Sequence, residues 1–109
     1  MRLVNLTPHE ISIHGESRGG WTTVSISPEP ISARVESKIV PAGMVIGLAL
    51  VRQVYGETVG LPAPVEGVML VVSAVVRAAN PARADLASPG ELIRNSAGQP
   101  VGCRGLVIS

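Results

Sequence analysis

Val68-Met69-Leu70-Val71-Val72-Ser73-Ala74-Val75-Val76-Arg77 is the stretch on which the fold class turns. Val68 to Val72 is an unbroken apolar run rich in β-branched residues, the pattern of a central strand covered on both faces. From Ser73 the composition shifts to Ala74, Ala78 and Ala79 with two valines, and the run stops at Asn80-Pro81. That change predicts a short helix with Ser73 at its N-cap and the proline closing it. A strand feeding a helix gives the α+β class.

The elements expected on either side are short strands. Leu3-Val4 starts the first. Glu10 to His14 alternates, with Ile11 and Ile13 on one face. Gly15 to Gly20 reads as a hairpin loop, and Trp21 to Ile26 as the returning strand. After the break at Ser27-Pro28-Glu29-Pro30, Ile31 to Val40 alternates again, with Ile31, Ala33 and Val35 inward and Ser32, Arg34 and Glu36 outward. Pro41-Ala42-Gly43 is a turn. Met44 to Tyr55 is mostly apolar and β-branched, so it is expected to be buried on both faces, as one strand or two. Gly60 to Gly67 is a stiff Pro-rich loop, and Asp85 to Pro89 a second loop. Leu92 to Arg94 and Val101 to Cys103 flank Asn95 to Pro100 as a hairpin, and Leu106 to Ile108 ends the chain as a strand. The sum is one domain over residues 1–109, α+β and mostly β: a small curled sheet or partly open barrel of about seven short strands with one short helix.

Composition narrows the classes further. Of 109 residues, 46% are apolar and 16% charged, and Trp21 and Tyr55 are the only aromatics. That apolar content excludes a disordered chain, and the single cysteine, Cys103, excludes a disulfide scaffold. So aliphatic a chain on so small a body predicts a homo-oligomer, its apolar faces meeting across an interface. A formal charge of +1 gives no field for nucleic acid or anionic lipid, and two aromatics make no base-stacking platform. Neither partner is expected. Met44–Val51 and Val68–Val76 fall well short of the ~20 residues of a spanning helix. No signal-peptide pattern opens the chain, so a cytoplasmic protein with a reduced Cys103 is the expectation.

Candidate chemistry is scattered. Asn5-Leu6-Thr7-Pro8-His9 is a rigid polar turn that can be purely structural or can present Asn5, Thr7 and His9 to a ligand. His9 and His14 are five apart on strand-period sequence and point to opposite faces, so no shared metal is expected. Ser73, with free backbone amides at the helix start and Arg77 one turn on, is a candidate anion site. It is not a nucleophile elbow, because Val71 and Val75 stand where that motif has glycines. Arg83 and Asp85 can pair across an extended segment, and Arg94 lies in the same polar zone. Gly102-Cys103-Arg104-Gly105 sets a thiol beside a guanidinium, which can activate it, though a small buried thiol is the simpler reading.

Asn5-Leu6-Thr7-Pro8-His9, Gly60-Leu61-Pro62-Ala63-Pro64, Val71-Val72-Ser73-Ala74, Arg83-Ala84-Asp85-Leu86, Pro89-Gly90 and Gly98-Gln99-Pro100-Val101-Gly102-Cys103 together resemble a family of short, uncharacterised phage, prophage and bacterial proteins. The likeness covers both ends and most of the second half, and residues 15–58 match least. It implies a phage or mobile-element setting, hence a role in phage–host conflict, and no particular activity.

The expectation for function is a non-enzymatic binding module for a small anionic, nucleotide-like ligand. Ser73, Arg77, Arg83, Arg94 and Arg104 would hold the phosphate, and Asn5, Thr7 and His9 the polar remainder. Asp85 completes the polar zone beside Arg83, and the site would lie at a subunit interface, with no metal or cofactor. Two alternatives stay open: an oligomeric structural or interaction protein without a ligand, and a small hydrolase using His9 as base or Cys103 as nucleophile.

Overall fold

The computed structural model describes residues 1–17 and 20–109. Along these residues run β1 (Arg2–Asn5), β2 (Ile11–Ser17), β3 (Gly20–Ile26), β4 (Arg34–Val45), β5 (Leu48–Val59), β6 (Val68–Val71), α1 (Ala74–Ala79), β7 (Leu86–Arg94) and β8 (Pro100–Ile108). Six strands form one mixed sheet in the order β1-β6-β7-β8-β2-β3, and β4 and β5 form a separate antiparallel ribbon. The large sheet curls until its outer strands meet. β1 contacts β3, and Asn5 bridges to Pro28 just beyond β3. The chain thus builds the mostly-β, nearly closed sheet with one short helix that its pattern predicts.

β6 lies between β1 and β7, parallel to both. Both of its edges and faces are occupied, which is why Val68–Val71 carries no polar residue. Leu70 and its register partner Leu86 meet Leu6, Ala33, Val72 and the helix residue Val76 in the core, with Val4, Val35, Leu61 and Val68 packed around them. Ser73 caps α1 by accepting the Val76 N–H at 3.2 Å. From the middle of the helix, Arg77 Nε donates to buried Ser88 Oγ on β7 at 2.8 Å, pinning α1 to the sheet.

Several expectations are corrected, the largest last. The loop at Gly15–Gly20 is shorter, because β2 runs to Ser17 and β3 resumes at Gly20, its register partner. Arg18 and Gly19 lie outside the described residues. Asp85–Pro89 is not a loop. Leu86, Ala87 and Ser88 are the buried start of β7, running parallel to β6, and Pro89-Gly90 continues the strand instead of ending it. Gly90 is needed there because it passes the backbone of Arg104 with no room for a Cβ.

The largest correction is at Met44–Tyr55, which is buried on neither face. β4 and β5 are 12 residues each, and the turn that joins them is Ile46-Gly47, with φ +51° and +76°. Pro41–Gly43, expected to be that turn, is instead a bulge within β4. Among the described residues no other element covers the far half of the ribbon. Met44 is 70% exposed, Leu48 69% and Val51 60%. Ile31, expected inward, is also exposed. The projection stretches the molecule to 58 × 39 × 25 Å, with a radius of gyration of 17.0 Å against the ~13 Å of a compact chain of this length. Only the root of this arm is tied down. Val35 packs on the core, and Thr58 Oγ1 accepts from Asn80 Nδ2 at 2.9 Å.

Candidate functional site

The N-terminal polar turn is a latch. Asn5 is wholly buried at the end of β1. Its Nδ2 donates to the carbonyls of His9 (2.8 Å) and Ile26 (2.9 Å), and its Oδ1 accepts from Thr7 N (2.9 Å) and Thr7 Oγ1 (2.6 Å). Every polar capacity of Asn5 is thus engaged within the chain, and Thr7 Oγ1 also donates to the His9 carbonyl at 3.0 Å. His9 contributes that carbonyl while the residue itself stays exposed. Because Ile26 ends β3, this one side chain ties together the two outer strands of the curled sheet.

The expected arginine cluster is dispersed, and three of its members spend donors inside the chain. Arg77 bonds Ser88 and, through Nη1, Ser109 Oγ at 3.3 Å. Arg83 grips Asp85 with Nε (2.9 Å) and Nη2 (2.8 Å), and Nη2 also donates to the Pro62 carbonyl at 2.9 Å, holding the Pro-rich loop against the entry to β7. Arg94 donates to the Gly98 carbonyl at 2.8 Å and closes the β7–β8 hairpin. Arg104 sits mid-β8 in register with Glu91 and His14. Ser73 has its hydroxyl on Val76 N, and α1 is only six residues long, so it sums little dipole for an anion.

The Arg83 hydrogen bonds hold the Asp85 carboxyl below its ordinary range. A depressed carboxyl adds stability that is present above the unfolded pKa near ~3.9 and lost as pH falls through the folded value. The pair is only partly covered, so its worth is about 1 kcal/mol or less. Asp85→Asn should therefore melt slightly lower than wild type at neutral pH, with the gap closing in acid below the carboxylate range. Thermal scans across pH check this, and a gap independent of pH would show that the ion pair is not its source.

An open hollow lies elsewhere, at the root of the arm. It is an open cleft of about 670 Å³ between residues 34–38 of β4 and 54–56 of β5, where a bulge interrupts the pairing. Strand period sets Arg34, Glu36 and Lys38 on one face. Among the described residues neither the Arg34 guanidinium nor the Lys38 ammonium has a hydrogen-bond or ion-pair partner. Arg52, across from Val40, continues that face. Ser37, Gln53 and Tyr55 are linked on the other: Tyr55 Oη donates to Gln53 Oε1 at 3.3 Å, and Gln53 Nε2 to Ser37 Oγ at 3.2 Å. Comparisons with protein families, curated proteins and solved structures return no match.

None of the residues picked from the sequence lines this cleft. Arg34 and Glu36 were legible as outward-facing positions, but their meeting with residues 54–56 depends on the hairpin register. That register follows from a turn at Ile46-Gly47 which carries no Asn-Gly or Asp-Gly signal.

Among the described residues no hydrogen bond joins Cys103 to His9 or His14. Cys103 is buried, its thiol 3.7 Å from the Gly105 carbonyl, and its register partner on β2 is Ile13. His9 is exposed on its turn. His14 Nδ1 shares a hydrogen bond with Thr23 Oγ1 at 3.1 Å, and its ring covers Gly102. Among the described residues no group of three or more His, Cys, Asp or Glu is placed to hold a metal ion, and no helix is long and apolar enough to cross a membrane.

Proposed function

We propose that this protein is a non-enzymatic binding module for a small anionic, nucleotide-like ligand, and that the ligand sits in the cleft at the root of the β4–β5 arm. The observation that carries this reading is the pair of unpartnered cations, Arg34 and Lys38, on one face beside a cleft large enough for a small molecule. Arg34 offers a planar donor fork to a phosphate, and Lys38 a point charge. Glu36 between them leaves one net positive charge and an acceptor for a hydroxyl or an amine, which suits a ligand of few negative charges better than a polyanion. The cleft is open, so a second copy would complete it. The resemblance to short phage and prophage proteins supports sequestration of a host nucleotide signal as the setting.

A panel of mono-, di- and cyclic nucleotides, with inorganic pyrophosphate, tests this by thermal shift and calorimetry. At least one should raise the melting temperature, by about 2.7 kcal/mol of linkage at a hundredfold excess over Kd. Arg34→Ala and Lys38→Ala should each weaken it tenfold or more, and Arg94→Ala should leave it unchanged. A flat response across the panel, or loss on Arg94→Ala alone, would refute this placement.

A further inference from the structure

The far half of the arm is apolar on both faces. By register, Ile39, Pro41, Met44, Ala49 and Val51 share one face, and Val40, Val45, Leu48, Leu50 and Val54 the other. Residues 39–51 contain no ionisable group. Among the described residues neither ribbon edge pairs with a further strand. A free two-stranded ribbon is marginal in water, and an uncharged, exposed edge invites pairing. Each aliphatic side chain buries on the order of 60–100 Å². The exposed set is therefore comparable to the roughly 800 Å² per partner of a standard interface.

The tip adds an independent observation. Ile46 is 96% exposed and sits at φ +51°. Positive φ at this turn position favours Asn, Asp or Gly, and a β-branched residue there is strained by roughly 1–2 kcal/mol. An isoleucine serves neither the turn nor the monomer's core. Its side chain has a use only against something outside the protomer. The body of the same chain carries a matching recess. Ile11, Pro89, Leu92, Pro100, Val101 and Cys103, together with Glu10, Ser12 and Gly102, border an open hollow of about 250 Å³ between β2, β7 and β8, with Leu92 and Val101 half exposed.

We propose that the β4–β5 arm joins copies of this chain, its Ile46 tip seating in the Ile11–Leu92–Val101 hollow of a second copy. Hook and socket are different surfaces, so the contact closes as a reciprocal arm exchange or a ring. It stands whether or not the cleft at the arm root takes a ligand.

Ile46→Asn separates this role from a structural one. Asn suits the turn better, so the protomer should keep its circular dichroism spectrum and resist urea at least as well as dissociated wild type. The same substitution should convert the wild-type oligomer to a monomer in light scattering at micromolar concentration. Leu92→Glu, on the socket, should do the same. Separately purified Ile46→Cys and Val101→Cys proteins should form a mixed disulfide dimer on mixing under mild oxidation. A monomeric wild type, an oligomer that survives either the Ile46 or the Leu92 change, or failure to cross-link would overturn the assignment. So would a wild-type monomer that floats with phosphatidylcholine vesicles, which would make lipid the arm's partner.

Discussion

Asn5→Ala should lower the stability of the protomer by about 2–4 kcal/mol, a fall in Tm on the order of 10–20 °C for a chain of this size. The side chain is wholly buried and makes four hydrogen bonds. Truncation leaves the Ile26 carbonyl without its side-chain donor and Thr7 N without its acceptor, while the methyl that replaces the amide offers them nothing. The effect is amplified by position, because the Ile26 bond and the Asn5–Pro28 bridge hold the outer strands of the curled sheet together. Amide exchange should therefore quicken at β1 and at the end of β3 before it does in β7. Asn5→Asp retains the acceptor but turns a buried carboxylate oxygen toward the His9 and Ile26 carbonyls, and should cost at least as much as Asn5→Ala. Urea titration and hydrogen exchange check this. An Asn5→Ala protein within about 0.5 kcal/mol of wild type would show that the latch closes nothing.

Gly90→Ala should be as damaging, at about 3 kcal/mol or more, a large share of the 5–15 kcal/mol of a typical domain. Gly90 lies on β7 between the register pairs Pro89–Leu106 and Glu91–Arg104. A methyl there would fall inside the van der Waals shell of the Arg104 carbonyl oxygen and against Gly105. The obstacle is backbone, so no rotamer change relieves it and the strands must part. The β7–β8 seam joins the parallel half of the sheet, β1-β6-β7, to the half built from β8, β2 and β3. Gly15→Ala is the matched control, because a Cβ at Gly15 meets nothing within 4 Å and should cost less than about 1 kcal/mol. Urea midpoints of the two variants check the contrast. Equal midpoints would mean that β7 and β8 can separate without loss.

Much of the architecture was legible in local pattern. Val68–Val72 read as a central strand because both of its faces and edges are covered, and Ser73 and Asn80-Pro81 bracketed the helix because capping and the pre-proline restriction are local effects. The Arg83–Asp85 pair and the Asn95–Pro100 hairpin were legible for the same reason. Leu86–Ser88 was not, because its partner β6 lies a helix away in sequence and Pro89-Gly90 looks like an ending. For the candidate site, the arginines were visible as residue types, but what each donor meets was not. Arg77 finds Ser88, Arg83 finds Asp85 and Pro62, while among the described residues Arg34 and Lys38, which border the cleft, keep their charges unpartnered.

The chain's own residues determined the mostly-β class, the short capped helix, the polar N-terminal turn and the excess of aliphatic side chains. All of these arise from periodicity, from φ restrictions and from hydrogen bonds spanning only a few positions. Tertiary structure alone decided where that excess goes. A run such as Met44–Val51 has one hydropathy whether it fills a core or stands in solvent. Only the pairing of β4 with β5 as a ribbon separate from the six-stranded sheet turns it outward into an arm.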